Sequence, residues 1–145
     1  MVVDLNFHKV IRFFLSIIFF TFLWSNGFSA NLNFEKIAKL KDPWGSSFIS
    51  KDEIIVTEKS GKIKIVNVVT KEILEVDHNL NFLEYGQGGL LDIIYKNNNV
   101  WISYTENRVN WKTSTSIAKA KLNKQELNFK NIFQANPPID SGYHF

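Results

Sequence analysis

Cysteine is absent from this 145-residue chain, and methionine occurs once, at position 1. Disulfides, thiolate metal sites and thiol catalysis are therefore excluded, so packing and hydrogen bonds alone must hold the fold. Histidine is scarce, at His8, His78 and His144 only. No Gly-x-Ser-x-Gly elbow, phosphate loop or His-Glu-x-x-His motif occurs. A concentration of one charge is also missing. The formal net charge is +3, with Lys9, Arg12 and Asp4 near the N-terminus and both signs interspersed beyond it. Without a Lys/Arg stripe to track a phosphate backbone, no nucleic-acid partner is expected. Long hydrophobic runs are lacking too. The longest, Phe13 to Trp24, is interrupted by Ser16 and Thr21. As a helix it reaches about 18 Å, short of the ~30 Å hydrocarbon core of a bilayer.

That run is the right length for the apolar region of a secretory leader. Lys9 and Arg12 precede it as a basic n-region, and Ser25-Asn26-Gly27 and Gly27-Phe28-Ser29-Ala30 follow with small residues. Residues 1–30 are read as a signal peptide cleaved after Ala30, and 31–145 as the mature domain. Cleavage after Gly27 or Ser29 is the alternative, because Phe28 fits an A-x-A site poorly. An uncleaved N-terminal anchor is the competing reading. The expected destination is outside the cytoplasm, with no membrane span left after cleavage.

From Asn31 onward, short apolar runs alternate with turn residues. Asn33 to Leu40 reads as a strand or, from the spacing of Phe34, Ile37 and Leu40, a short helix. Trp44–Ile49, Glu53–Glu58, Lys62–Val68 and Lys71–Val76 form one antiparallel meander, with β-branched alternation clearest in the second and third. A loop from Asp77 to Gly89 leads to a second set: Leu90–Tyr95, Val100–Thr105, Ser114–Leu122 and Glu126–Phe133. Trp44 and Leu90 open these sets about 46 residues apart, the period of a propeller blade. An eight-stranded sandwich fits the periodicity as well.

Few side chains stand out chemically. In Gly86-Gln87-Gly88-Gly89, glycines let the backbone approach a ligand and the glutamine amide offers both donor and acceptor. A plain turn is the other reading. His78 beside Asp77 reads as a solvated loop histidine, and His144 as part of the tail. Asp77, Asp92, Glu106 and Asp140 are scattered and match no Ca2+ loop. Trp44 and Trp101 read as packing residues. Trp111, between Asn110 and Lys112, is the tryptophan most expected to be exposed.

The order of segments resembles the N-terminal part of the soluble glucose/sorbosone dehydrogenase family, the aldose sugar dehydrogenases. It runs Pro43-Trp44-Gly45, Phe48, Ile55-Val56-Thr57-Glu58-Lys59 with Gly61-Lys62-Ile63, Gly86-Gln87-Gly88-Gly89-Leu90-Leu91-Asp92, Ile102-Ser103-Tyr104 and Ser141-Gly142-Tyr143-His144-Phe145. The resemblance implies an all-β fold: a partial six-bladed β-propeller, about two four-stranded antiparallel blades, after an N-terminal signal helix. It implies pyrroloquinoline quinone (PQQ) as cofactor, an aldose as substrate and a periplasmic location. Gln87 matches the family's glutamine beside the quinone. His144 matches its general base, although Tyr143 stands where glycine is common. Ca2+ is implied as well, but none of its family ligands is assignable here. A six-bladed propeller of this period needs on the order of 270 residues. The chain is therefore expected to be an N-terminal fragment that does not by itself complete the catalytic site. The alternative is a non-catalytic extracellular binding module on the same fold.

Overall fold

The computed structural model describes residues 9–16 and 31–142. The chain divides into two compact units, Met1–Glu35 and Lys36–Phe145. In the first, residues 9–16 are helical. The rest of the apolar leader run and the expected cleavage site lie outside the described residues. Among the described residues no helix is long and apolar enough to cross a membrane.

The second unit is built from strands. They are β1 (Pro43–Phe48), β2 (Glu53–Glu58), β3 (Lys62–Asn67), β4 (Ile73–His78), β5 (Leu90–Lys96), β6 (Asn99–Asn107), β7 (Thr113–Lys121), β8 (Glu126–Leu127) and β9 (Lys130–Gln134). One 3₁₀ turn, Val109–Trp111, joins β6 to β7. β1 to β4 form an antiparallel meander, and β5, β6, β7 and β9 form a second one. The sets expected from the sequence are both present. Glu53–Glu58 is a strand with the expected bounds.

Two segments differ from expectation. Residues 33–40 adopt no regular structure. Phe34 is 92% exposed whereas Ile37 and Leu40 are half-buried, so the three do not bury one helical face together, and so short a helix is not stable alone. Glu126–Phe133 is two strands with different partners. β8 leaves the second meander and pairs in parallel with β4, opposite Asp77 and His78. Burial of Leu127 and Phe129 in the shared core drives this crossover. The Asn79 side chain holds it by donating to Phe129 O (3.1 Å) and accepting from Phe129 N–H (2.8 Å).

The core lies between the two meanders. Ile55, Ile63, Ile65 and Val76 from the first meet Leu90, Ile93, Val100, Ile102, Tyr104, Ala118 and Ala120 from the second. The period of two in β6 and β7 produces this face directly. In β6, Val100, Ile102, Tyr104 and Glu106 are buried, and in β7, Ser114, Ser116, Ala118 and Ala120.

Polar groups join the meanders along the seam between β1 and β5. The Thr57 hydroxyl accepts from Gly45 N–H at 3.0 Å and donates to Leu91 O across the seam. Ser47 Oγ accepts from Tyr95 N–H at 3.0 Å. Lys59 O accepts from Leu90 N–H at 3.2 Å. Next to Thr57, the Glu58 carboxylate is buried and accepts from Lys64 Nζ (2.7 Å) and Lys41 N–H (2.7 Å). Burial alone pushes the Glu58 pKa up. The Lys64 and Lys41 hydrogen bonds and the charges of Lys64 and Lys62 outweigh it and hold the carboxyl below its ordinary value of 4.5.

Two outcomes are expected. Thr57→Val keeps the shape but strands Gly45 N–H and Leu91 O, each unmade buried bond costing about 1–3 kcal/mol. Urea unfolding reads this as a lower midpoint at unchanged m. For Glu58 the folded pKa lies below the unfolded one. Its stabilisation is therefore present at neutral pH and lost as pH falls through the folded value. The wild-type melting temperature should fall more steeply below pH 4.5 than that of Glu58→Gln, while Glu58→Gln is the less stable at pH 7.

Candidate functional site

The loop before β5 carries Gln87 and is bent by the glycines around it. Gly86 has φ +59°, and a Cβ there would strike the Gly142 carbonyl. Gly89 has φ +150°, and a Cβ there would strike the Lys59 carbonyl. L-residues are disfavoured at both positions. Gly89 N–H donates to Thr105 Oγ1 (3.2 Å), Gly89 O accepts from Thr105 N–H (2.9 Å), and Gly88 N–H donates to Tyr85 O (2.8 Å). The Lys59 ammonium donates to Gly86 O. The loop is thus tied to the β2–β3 turn on one side and to β6 on the other.

The C-terminal segment comes to the same place. Thr113 and Ile139 exchange backbone hydrogen bonds of 2.8 and 2.9 Å, and Thr113 Oγ1 donates to Ser141 O at 2.9 Å. Gly142 O then accepts from Gln87 N–H at 2.7 Å, with Tyr85 against Gly142. Two segments more than fifty residues apart in sequence are therefore joined at Gln87 itself. His144 lies outside the described residues.

The Gln87 side chain is exposed. With Trp44, Leu91, Asp92 and Ser103 it lines a hollow of about 370 Å³. Trp44 is 54% exposed there, more open than a packing residue. Asp92 is the charged member, and its carboxylate already accepts from Ile93 N–H at 2.9 Å. Its own N–H donates to Ser103 Oγ at 3.1 Å. Among the described residues no three His, Cys, Asp or Glu side chains gather to hold a metal ion.

His78 is not a solvated loop residue. It ends β4 and is half-buried, with Nε2 2.8 Å from Gly61 O and Nδ1 accepting from Leu80 N–H at 3.2 Å. These partners assign the proton to Nε2, and the ring packs edge-on against Phe82. It braces the β2–β3 turn. Trp101 is half-buried under Lys119 Nζ, 5.1 Å from the ring centre. Trp111 is exposed, as its polar neighbours suggest.

Glu106, one of the scattered acidic residues of the sequence, is the centre of the buried polar network. Its carboxylate accepts from Ser116 Oγ (2.6 Å), Arg108 (3.2 Å), Asn131 Nδ2 (3.0 Å) and Gln134 Nε2 (2.8 Å). Tyr104 joins it by donating to Asn131 Oδ1 at 2.8 Å, and burial pushes the phenol pKa up, so it stays a neutral donor. The signal was present: Glu106 continues the inward alternation of Ile102 and Tyr104. The polar residues Asn107 and Arg108 that follow give the stretch the composition of a loop, although β6 runs to Asn107.

The family model described as glucose/sorbosone dehydrogenase matches residues 40–145. Among solved structures, the soluble aldose sugar dehydrogenase of Escherichia coli, in its apo form, is 23% identical with a TM-score of 0.67, over 73% of this chain and 33% of that one. A structure titled glucose dehydrogenase is 25% identical with a TM-score of 0.68, again over 73% and 33%. The PQQ-bound aldose sugar dehydrogenase of Streptomyces coelicolor is 19% identical with a TM-score of 0.62, over 71% and 33%. The chain thus spans about a third of the length of these structures. No curated protein matches it. The likeness decides between the two architectures that periodicity left open: the meanders are neighbouring blades of a partial β-propeller. With the family model covering most of its length, this chain belongs to the glucose/sorbosone dehydrogenase family.

Proposed function

We propose that the chain serves a PQQ-dependent oxidoreductase that oxidises aldoses at the anomeric hydroxyl, with Gln87 beside the cofactor and His144 as general base. The observation that carries this reading is the 2.7 Å hydrogen bond from Gln87 N–H to Gly142 O. Two peptide units, at most about 7 Å of chain, separate Gly142 from His144. A bond at Gly142 therefore limits how far the two matched family residues can be from one another.

PQQ is a flat quinone bearing carboxylates. The Gln87 amide, the Trp44 indole and the hollow they border fit one edge of such a group. The hollow supplies no cation for its carboxylates. When bound, PQQ supplies the hydride acceptor. The tasks of this chain are to orient and to move a proton. Gln87 donates to and accepts from a polar edge, and a neutral His144 imidazole takes the proton of the sugar's O1 hydroxyl. The tight loop fixes the Gln87 main chain before any ligand arrives, so little ordering remains to be done on binding.

The test uses the full-length gene product that carries this chain, with PQQ, Ca2+, an aldose and a reducible dye. Dye reduction is expected. His144→Ala should lower the rate at least about 100-fold, the usual weight of a general base, with PQQ binding retained. Gln87→Ala should weaken PQQ binding. Full activity in His144→Ala overturns the base assignment, and failure to bind PQQ favours the non-catalytic binding module. Export into the periplasm with cleavage after Ala30 belongs to the same proposal. Intact-mass measurement of the exported protein should give Asn31 as the first residue, and a retained leader would contradict it.

A further inference from the structure

We infer that Trp111 is a stacking platform for a second sugar ring, so that saccharides longer than one unit are held in preference to a monosaccharide. The inference rests on the aldose reading above and adds to it a substrate subsite away from Gln87.

The loop that carries Trp111 is closed at its base. Arg108 N–H donates to Lys112 O at 2.8 Å, and the 3₁₀ turn Val109–Trp111 lies between. Inside it the backbone is left-handed at two successive residues, Asn110 at φ 59° and Trp111 at φ 61°. Asparagine tolerates that region, but a bulky side chain there is an outlier. Such strain is normally offset by packing, and here it is not. Trp111 is 75% exposed. The strained turn therefore presents an indole to solvent, a pattern that points to a ligand clamp.

The position of the loop identifies the ligand. β6 and β7 pair through Asn107↔Thr113 at this end, and Leu90↔Tyr104 brings the start of β5 to the same end. Thr113, two residues after Trp111, bonds Ser141 O, and the next residue, Gly142, bonds Gln87. Trp111 and Gln87 thus occupy one end of the blade. Gln87 precedes β5, whereas Trp111 joins β6 to β7, the next two strands of the sheet. That offset is one to two strand spacings, about 5–10 Å. A sugar reacting beside Gln87 would have its next ring, not itself, over Trp111. The neighbours suit that ring. Asn110 and Lys112 are exposed on either side and present hydrogen-bonding groups to hydroxyls, while the indole face takes the apolar C–H face of the ring.

Calorimetric titration of the full-length gene product with glucose and with maltotriose, without PQQ, tests the inference. Maltotriose should bind about fivefold tighter than glucose, the weight of one aromatic contact. Trp111→Gly should lose that preference while its melting temperature rises, because glycine suits φ 61°. Phe48→Leu, at an exposed aromatic outside the Gln87 hollow, should keep the preference. The inference is overturned if Trp111→Gly binds maltotriose as the wild type does, or if the wild type fails to prefer maltotriose. PQQ is absent from this titration, so a failure here is distinct from a failure of the PQQ reading.

Discussion

The bond network across the β1–β5 seam is the constraint on which the rest of the second unit depends. Each of these strands has one neighbour in its own sheet and leaves its other edge to face the seam. No continuous ladder forms there. Instead Thr57, Ser47 and the Lys59 carbonyl reach individual backbone groups of β5. The polar cost of burying two strand edges is thereby met with a few bonds, and the apolar faces behind them can close into one core. Lys59 extends the arrangement by holding Leu90 with its carbonyl and Gly86 with its ammonium. The geometry of the Gln87 loop is thus set by the same turn that joins the blades.

This explains why two sequence motifs occur together. Thr57-Glu58-Lys59 and Gly86 to Asp92 are two halves of one contact. Thr57 needs the Leu91 carbonyl, Lys59 needs a glycine at position 89, and Glu58 keeps Lys64 and the Lys41 amide in place behind them. Farther out, Glu106 does similar work. It gathers Arg108, Ser116, Asn131 and Gln134 around one buried carboxylate and so binds β6, β7 and β9 where the C-terminal segment approaches. Among the described residues no buried side-chain nitrogen or oxygen lacks a partner. Without disulfides, such satisfied polar groups are what make one packing arrangement preferable to others.

Much of this was legible in the sequence, for identifiable reasons. β2 and β3 follow from β-branched alternation, and the Gln87 loop from its glycines. Trp111 was legible as an exposed residue from Asn110 and Lys112. The rest depended on partners far along the chain. Glu126–Phe133 looks like one strand until β4 offers its edge to Leu127. His78 looks solvated until the β2–β3 turn brings the Gly61 carbonyl to its ring. Phe34, Ile37 and Leu40 carry a helical spacing, but only Ile37 and Leu40 are partly buried, in a segment without regular structure. Local pattern reported the faces of the strands, whereas tertiary contact decided their ends and neighbours.

The account makes the seam, and not either blade alone, the unit that positions Gln87. Native-state hydrogen exchange measures this directly. The Leu90 and Thr105 amides bond to Lys59 O and Gly89 O across the loop, whereas the Ile65 amide lies within the first meander. If the seam and the core open together, Leu90 and Thr105 should exchange with the same free energy and denaturant dependence as Ile65. Exchange of Leu90 and Thr105 at the rate of a free loop, with Ile65 still protected, would contradict the account.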